Sequence, residues 1–134
     1  CYYTVITINY ITMSEDIIKL FFHITLNIKL YHWQTTMYSR HKATCDLFAS
    51  IIDLTDNFVE TYIGRYSRPH FEDDFQVNVT QVSDEEARNM IQQYILFLKK
   101  EVPKHLKQHD TDLLNIRDEL LASLNKTLYL FTLN

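Results

Sequence analysis

A chain of 134 residues has the size of one domain with one core. Its single Gly and two Pro leave too few breaks for the turns of an all-β or Rossmann fold, while 46% apolar and 22% charged residues suit a globular protein. A formal net charge of −4 supplies no global positive field for DNA or an anionic membrane, and Cys1 and Cys45 alone make no disulfide framework, which points to a reducing, cytoplasmic setting.

Residues 1–12 are β-prone, with no basic n-region or cleavage site of a secretory signal, and no run in the chain is long enough to span a bilayer. Met13 is followed by Ser-Glu-Asp, an N-cap hydroxyl with acids in the first turn. Residues 1–13 are therefore expected to be a disordered or non-native segment, with Met13 as the true start, and residues 14–134 to form the domain. From Ser14 to about Met37, Ile17, Phe21, Ile24, Ile28 and Tyr31 recur at helical spacing and predict a first helix. A second runs from about Arg40 to Tyr66, carrying Leu47, Phe48, Ile51, Leu54, Phe58 and Tyr62. Residues 67–81 have no helical period and form a long connection. Ser83-Asp84-Glu85-Glu86 reads as a capping box opening a third helix, which weakens near Pro103. Asp110 to about Leu133 is the fourth, N-capped by Asp110. The fold class expected is all-α, a ferritin-like four-helix bundle with a long crossover between its second and third helices.

The second helix places His41, Cys45, Asp46, Asp53, Asp56 and Glu60 among core residues. His41 and Cys45 are four apart, as are Asp56 and Glu60, so each pair shares a face and offers two donors to one ion. His41 and Asp56 lie 15 residues apart, about 22 Å along a helix, so the pairs cannot meet within it. All four nevertheless occupy one side. An antiparallel copy across a two-fold axis between residues 50 and 51 would set His41 against Glu60 and Cys45 against Asp56, giving two equivalent sites per dimer. His32, near the turn between the first two helices, can approach His41. Imidazoles from one subunit and carboxylates from the other make a mixed N/O site suited to iron, zinc or manganese.

Leu30-Tyr31-His32-Trp33, then His41, then Asp56-Asn57-Phe58-Val59-Glu60 resembles the Dps-like branch of the ferritin superfamily, and Asp110-Thr111-Asp112-Leu113-Leu114 with Leu121, Lys126 and Leu130 is similar to that family's last helix. The resemblance covers roughly residues 17–133. It implies a hollow homododecamer that oxidises Fe(II), with hydrogen peroxide or oxygen, at ferroxidase sites on two-fold interfaces, and stores the ferric product as an oxidative-stress protein. It further implies His32 and His41 as ligands from one subunit, Asp56 and Glu60 from its neighbour, and Trp33 packed beside them. Cys45 stands where many members carry an acidic ligand and is a candidate softer ligand, an oxidisable thiol or plain packing. The basic tails that let some members bind DNA are absent, so neither DNA nor a membrane is an expected partner.

Other signals have plainer readings. His105 and His109 have the spacing of a zinc pair, yet sit among lysines at a helix end. His70 with Glu72, Asp73 and Asp74 reads as a solvated loop. Asp53 is a candidate to hydrogen-bond a ligand from outside or to pair in a salt bridge, and Asp112 with Asp110 a candidate lining for an iron pore. The alternative to a ferroxidase is a non-catalytic helical-bundle shell or scaffold that lost or repurposed its metal site.

Overall fold

The structure, a computed structural model, describes the backbone of residues 2–71 and 73–134 and the side chains of 15–71 and 73–134. The elements are α1 (Tyr2–Gln34), α2 (Tyr38–Arg65), α3 (Asp84–Lys100), a 3-10 turn (Val102–His105) and α4 (Thr111–Leu130). No strand occurs among the described residues, so the expected all-helical bundle holds at that level. Of residues 1–13, expected to be a disordered or non-native segment, residue 1 lies outside the described residues and the backbone of the rest is helical. The backbone of α1 starts at Tyr2 rather than Ser14.

Helix spacing in the sequence becomes the core directly. Phe21, Ile24, Ile28 and Tyr31 of α1 face Leu47, Ile51, Phe58 and Tyr62 of α2, with Ile91, Tyr94 and Leu98 of α3 and Leu113, Leu120 and Leu124 of α4 completing one cluster. Phe21 and Phe58 meet edge to face at 5.2 Å and 88°, the arrangement that ring quadrupoles favour. At the start of α3 the predicted capping box is complete: Ser83 Oγ accepts from Glu86 N, and Glu86 Oε1 accepts from Ser83 N. Pro103 ends the α-helical pattern as expected, because a proline ring cannot supply the next backbone donor, and the chain tightens into the 3-10 turn.

Two polar knots tie the helix ends together. At one end the Tyr31 hydroxyl donates to Asp84 Oδ1 at 2.6 Å, Thr35 Oγ1 donates to the same oxygen at 3.0 Å, and Arg40 Nη1 donates to the Tyr31 hydroxyl at 3.0 Å while its guanidinium lies over Phe131. The end of α1 and the starts of α2 and α3 thereby meet beside the end of α4. At the other end, Arg65 and Tyr66 bind Asp110, ahead of α4. Residues 67–83 thus join an α2 end beside the start of α4 to an α3 start beside the end of α1. Asn27, 2% exposed, fastens this segment to α1: its amide nitrogen donates to Asn78 O at 2.9 Å and its amide oxygen accepts from Thr80 N at 2.9 Å.

Asp110 corrects the sequence reading. It occupies the N-cap position, but its side chain makes no cap hydrogen bond. The carboxylate turns back to accept from Lys107 N and the Tyr66 hydroxyl and pairs with Arg65 at 2.8 Å. Fully buried, it cannot line a pore in this chain. Arg65 also approaches Asp112 at 3.7 Å. The reason is competition: a guanidinium and two neutral donors solvate a buried carboxylate better than one helix N–H can.

The Tyr31–Asp84 knot carries a pH dependence. Hydrogen bonding from Tyr31, against the opposing effect of burial and with help from Thr35 and Arg40, holds the Asp84 carboxyl below its ordinary value of 3.8. A carboxyl depressed in the folded state contributes stability that is present above 3.8 and lost as pH falls through the lower, folded value. Replacing Asp84 with Asn is expected to flatten the acid limb of a plot of urea midpoint against pH below about 4. An unchanged slope would show that the knot adds no pH-dependent stability.

Candidate metal centre

His32 lies in the last turn of α1, facing inward at 7% exposure, and His41 lies in the first turn of α2. The short break between the helices brings the two imidazoles into parallel contact, ring centroids 4.0 Å apart and planes 19° apart. Each ring bonds the other's backbone. His32 Nδ1 is 2.9 Å from His41 O, and His41 Nδ1 is 3.1 Å from His32 O. A carbonyl oxygen only accepts, so both Nδ1 atoms carry the proton, and in the neutral rings both Nε2 atoms keep their lone pairs for a ligand. Metal-binding histidines are commonly oriented in this way, with the second ring nitrogen donating to a carbonyl.

Burial pushes the His32 imidazole below its usual value of 6.5, and the charge on neighbouring His41 acts in the same direction. The group therefore favours the neutral, ligating form near neutral pH. Thr44 completes the arrangement. Fully buried on α2, it places Oγ1 3.0 Å from His32 Nδ1 while donating to Arg40 O at 2.7 Å. Sequence reasoning passed over Thr44, although its position three residues after His41 put it within one helical turn of the site.

The carboxylates stand elsewhere. Asp56 and Glu60 lie on the exposed side of α2, as do His41, Cys45 and Asp53. Among the described residues no three His, Cys, Asp or Glu side chains converge. One chain therefore unites His32 with His41 and does not bring Asp56 or Glu60 to them, as the rise of an α-helix requires, while Cys45, one turn on from His41, forms no three-residue cluster with the imidazoles. The exposed stripe also carries Ala49 and Ile52, the latter 47% exposed, so its middle is apolar and its ends are polar. Trp33, expected to pack beside the ligands, is 69% exposed and has Lys29 over its ring at 5.4 Å.

The other histidines are placed differently. His105 closes the 3-10 turn while His109 lies beyond it, so the four-residue spacing does not fall on one α-helix. His23 meets Tyr94. No helix among the described residues is long and apolar enough to cross a membrane.

A model of a protein family of unknown function, DUF5856, matches residues 32–131, which begins on His32 and takes in His41, Thr44, Asp56 and Glu60. No curated protein and no solved structure matches the chain. With three quarters of its length inside that match, the chain belongs to the DUF5856 family.

Proposed function

We propose that this protein is a ferritin-like, Dps-type ferroxidase that binds, oxidises and stores iron at sites formed between two copies of the chain. The observation that carries the reading is the mutual orientation of His32 and His41. Their interlocked Nδ1–H bonds tie α1 to α2 and leave both Nε2 atoms free of those bonds, in the orientation that metal-binding histidines use. Two features support the inter-subunit part. The stripe on α2 is self-complementary about a point between residues 50 and 51, pairing His41 with Glu60, Cys45 with Asp56, and Ala49 with Ile52. Every one of these side chains is exposed in the single chain. The passage of residues 67–83 from one end of the bundle to the other supports the long crossover of a ferritin-like connection.

In this reading Fe(II) is the substrate. His32 and His41 of one subunit and Asp56 and Glu60 of the other bind it, the carboxylates offsetting its charge and the imidazoles keeping positions open for the oxidant. Each Fe(II) gives up one electron, and each hydrogen peroxide accepts two and, with two protons, leaves as water. Holding Fe(II) apart from free peroxide suppresses radical chemistry. Thr44 fixes the His32 ring, and Cys45 adds a thiol at the rim. Twelve subunits in a closed cage, and cytoplasmic residence, complete the proposal.

The test is stopped-flow absorbance of ferric product after anaerobic Fe(II)-loaded protein is mixed with peroxide and then with oxygen. Rapid, saturable oxidation at a few irons per dimer is expected, and oxidation no faster than in buffer would refute the ferroxidase. The exposed apolar middle of the stripe supports assembly in its own right, so a non-catalytic shell or scaffold is the second reading. His41→Ala separates the two: assembly survives under both, and iron oxidation is there to be lost only under the first.

A further inference from the structure

The second half of the α2 stripe is hollow. An open groove of about 980 Å³ runs between Ile52, Val59 and Ile63 of α2, Phe22 of α1, and Pro69 and Phe71 of the crossover. Aromatic stacking holds the crossover beside it, with ring centroids 6.0 Å apart for Phe22 and Phe75 and 5.9 Å apart for Phe75 and Phe71. Phe22, Ile52 and Phe71 are exposed, so the groove presents the kind of contiguous apolar surface that marks an interaction site.

The first half of the same stripe carries a knob. Tyr38, in the first turn of α2, is 75% exposed, an unusual setting for so large an apolar ring. Tyr38 and Ile63 are 25 residues apart, about 37 Å along the helix, so a chain cannot place its own Tyr38 in its own groove. Over that distance the helix turns to within about 20° of its starting direction, which leaves both residues on one face. Their numbers total 101, as do those of His41 and Glu60, Cys45 and Asp56, and Ala49 and Ile52. That is the condition for two positions to meet across a two-fold axis between residues 50 and 51. An axis drawn through the polar pairs therefore also sets an exposed ring against an open groove.

The charges agree with this pairing. Lys42, exposed on the knob half, comes opposite Val59 and so within one turn of Asp56 and Glu60, whereas Asp46 lies on the flank of the stripe. Arg68, the base among the described residues that line the groove, does not oppose an aromatic occupant, because a guanidinium packs on ring faces.

We infer that the groove is the seat of a second copy of this chain: in an antiparallel pair, Tyr38 of each protomer fills the groove of the other beside Ile63. The inference takes its two-fold axis from the dimer proposed above and requires no iron.

Photo-cross-linking of the full chain tests it, with Tyr38 replaced by p-benzoyl-L-phenylalanine, which keeps an aromatic ring at the position. Irradiation is expected to give a covalent dimer whose adducts map by mass spectrometry to residues 59–75 of the second copy. Sedimentation velocity on Tyr38→Ala, its fold checked by circular dichroism, should show self-association at least tenfold weaker than wild type. Adducts confined to other segments, or unchanged association in Tyr38→Ala, would overturn the inference. So would undiminished binding of 8-anilinonaphthalene-1-sulfonate in the groove of the assembled protein, which would make the groove a small-molecule pocket. A wild-type chain that stays monomeric would overturn both the seat and the inter-subunit ferroxidase. Iron oxidation by an assembly without these adducts would remove the seat alone, and the adducts without iron oxidation would support the seat while refuting the ferroxidase.

Discussion

Mixing two inactive variants, His41→Ala and Glu60→Ala, is expected to restore iron oxidation that neither possesses alone. Under the proposed ferroxidase, each variant by itself removes a ligand from every site, and the loss should exceed the 10–100-fold typical of disturbing a supporting group around a metal. In a mixed dimer one site combines the intact histidines of the Glu60→Ala chain with the intact carboxylates of the His41→Ala chain. The other site lacks both. Random pairing makes half the dimers mixed, each with one working site of two, so the recovered rate is about a quarter of wild type under two-fold symmetry. Co-refolded or co-expressed subunits, assayed by stopped-flow ferric absorbance, supply the measurement. A mixture as inactive as its components would mean that the imidazoles and carboxylates never share a site across two chains, and the inter-subunit ferroxidase would fall. The geometry makes the experiment decisive, because within one chain the two sets are held apart by the length of α2.

The second large effect concerns stability. Removing the Asp110 carboxylate by Asp110→Ala leaves the Lys107 N–H, the Tyr66 hydroxyl and Arg65 without the acceptor they converge on. Burial works against ionisation of this carboxyl, yet the bonds from Tyr66 and Lys107 and the charge of Arg65 hold it below 3.8, so the surroundings are organised for the anion. Burial, together with the bond to Asp110, pushes the Tyr66 hydroxyl up to about 12. Leaving buried donors without their acceptor costs about 1–3 kcal/mol, and that range rather than the larger cost of a buried ion pair applies because Arg65 reaches solvent. The urea midpoint should fall accordingly with the slope unchanged, and Asp110→Asn, which keeps one acceptor, should lie between. A midpoint equal to wild type would show that Arg65 and Tyr66 find equivalent partners in water.

Both experiments bear on the same architectural point. The Arg65–Asp110 knot closes one end of the bundle and the Tyr31–Asp84–Arg40 knot the other, and the second sits next to the His32–His41 pair. Loosening Arg40 or Thr44 would disturb the helix end that carries the imidazoles. Ring positioning thus depends on the same hydrogen bonds that hold the helices together, while the stripe on α2 beyond His41 faces outward.

What the sequence determined by itself follows from local rules. Apolar spacing located all four helices, since a helix buries the same residues wherever it packs, and the Ser83 capping box was legible because both of its bonds are made within four residues. The separation of His41 from Asp56 and Glu60 was equally local, a matter of rise per residue. Whatever depends on residues distant in the chain waited on the packing of the helices. Asp110 forsakes its cap because Arg65 and Tyr66, 44 or more positions away, arrive beside it. Asn27 binds the crossover, and His23 and His105 end in a cleft with Tyr94, because antiparallel packing brings α3 and the 3-10 turn against α1. The orientation of His32 and His41 belongs to this second class as well. Spacing put the two imidazoles near one turn, but which nitrogen each ring presents was set by the carbonyl of the opposite helix and by Thr44, contacts no single helix can make for itself.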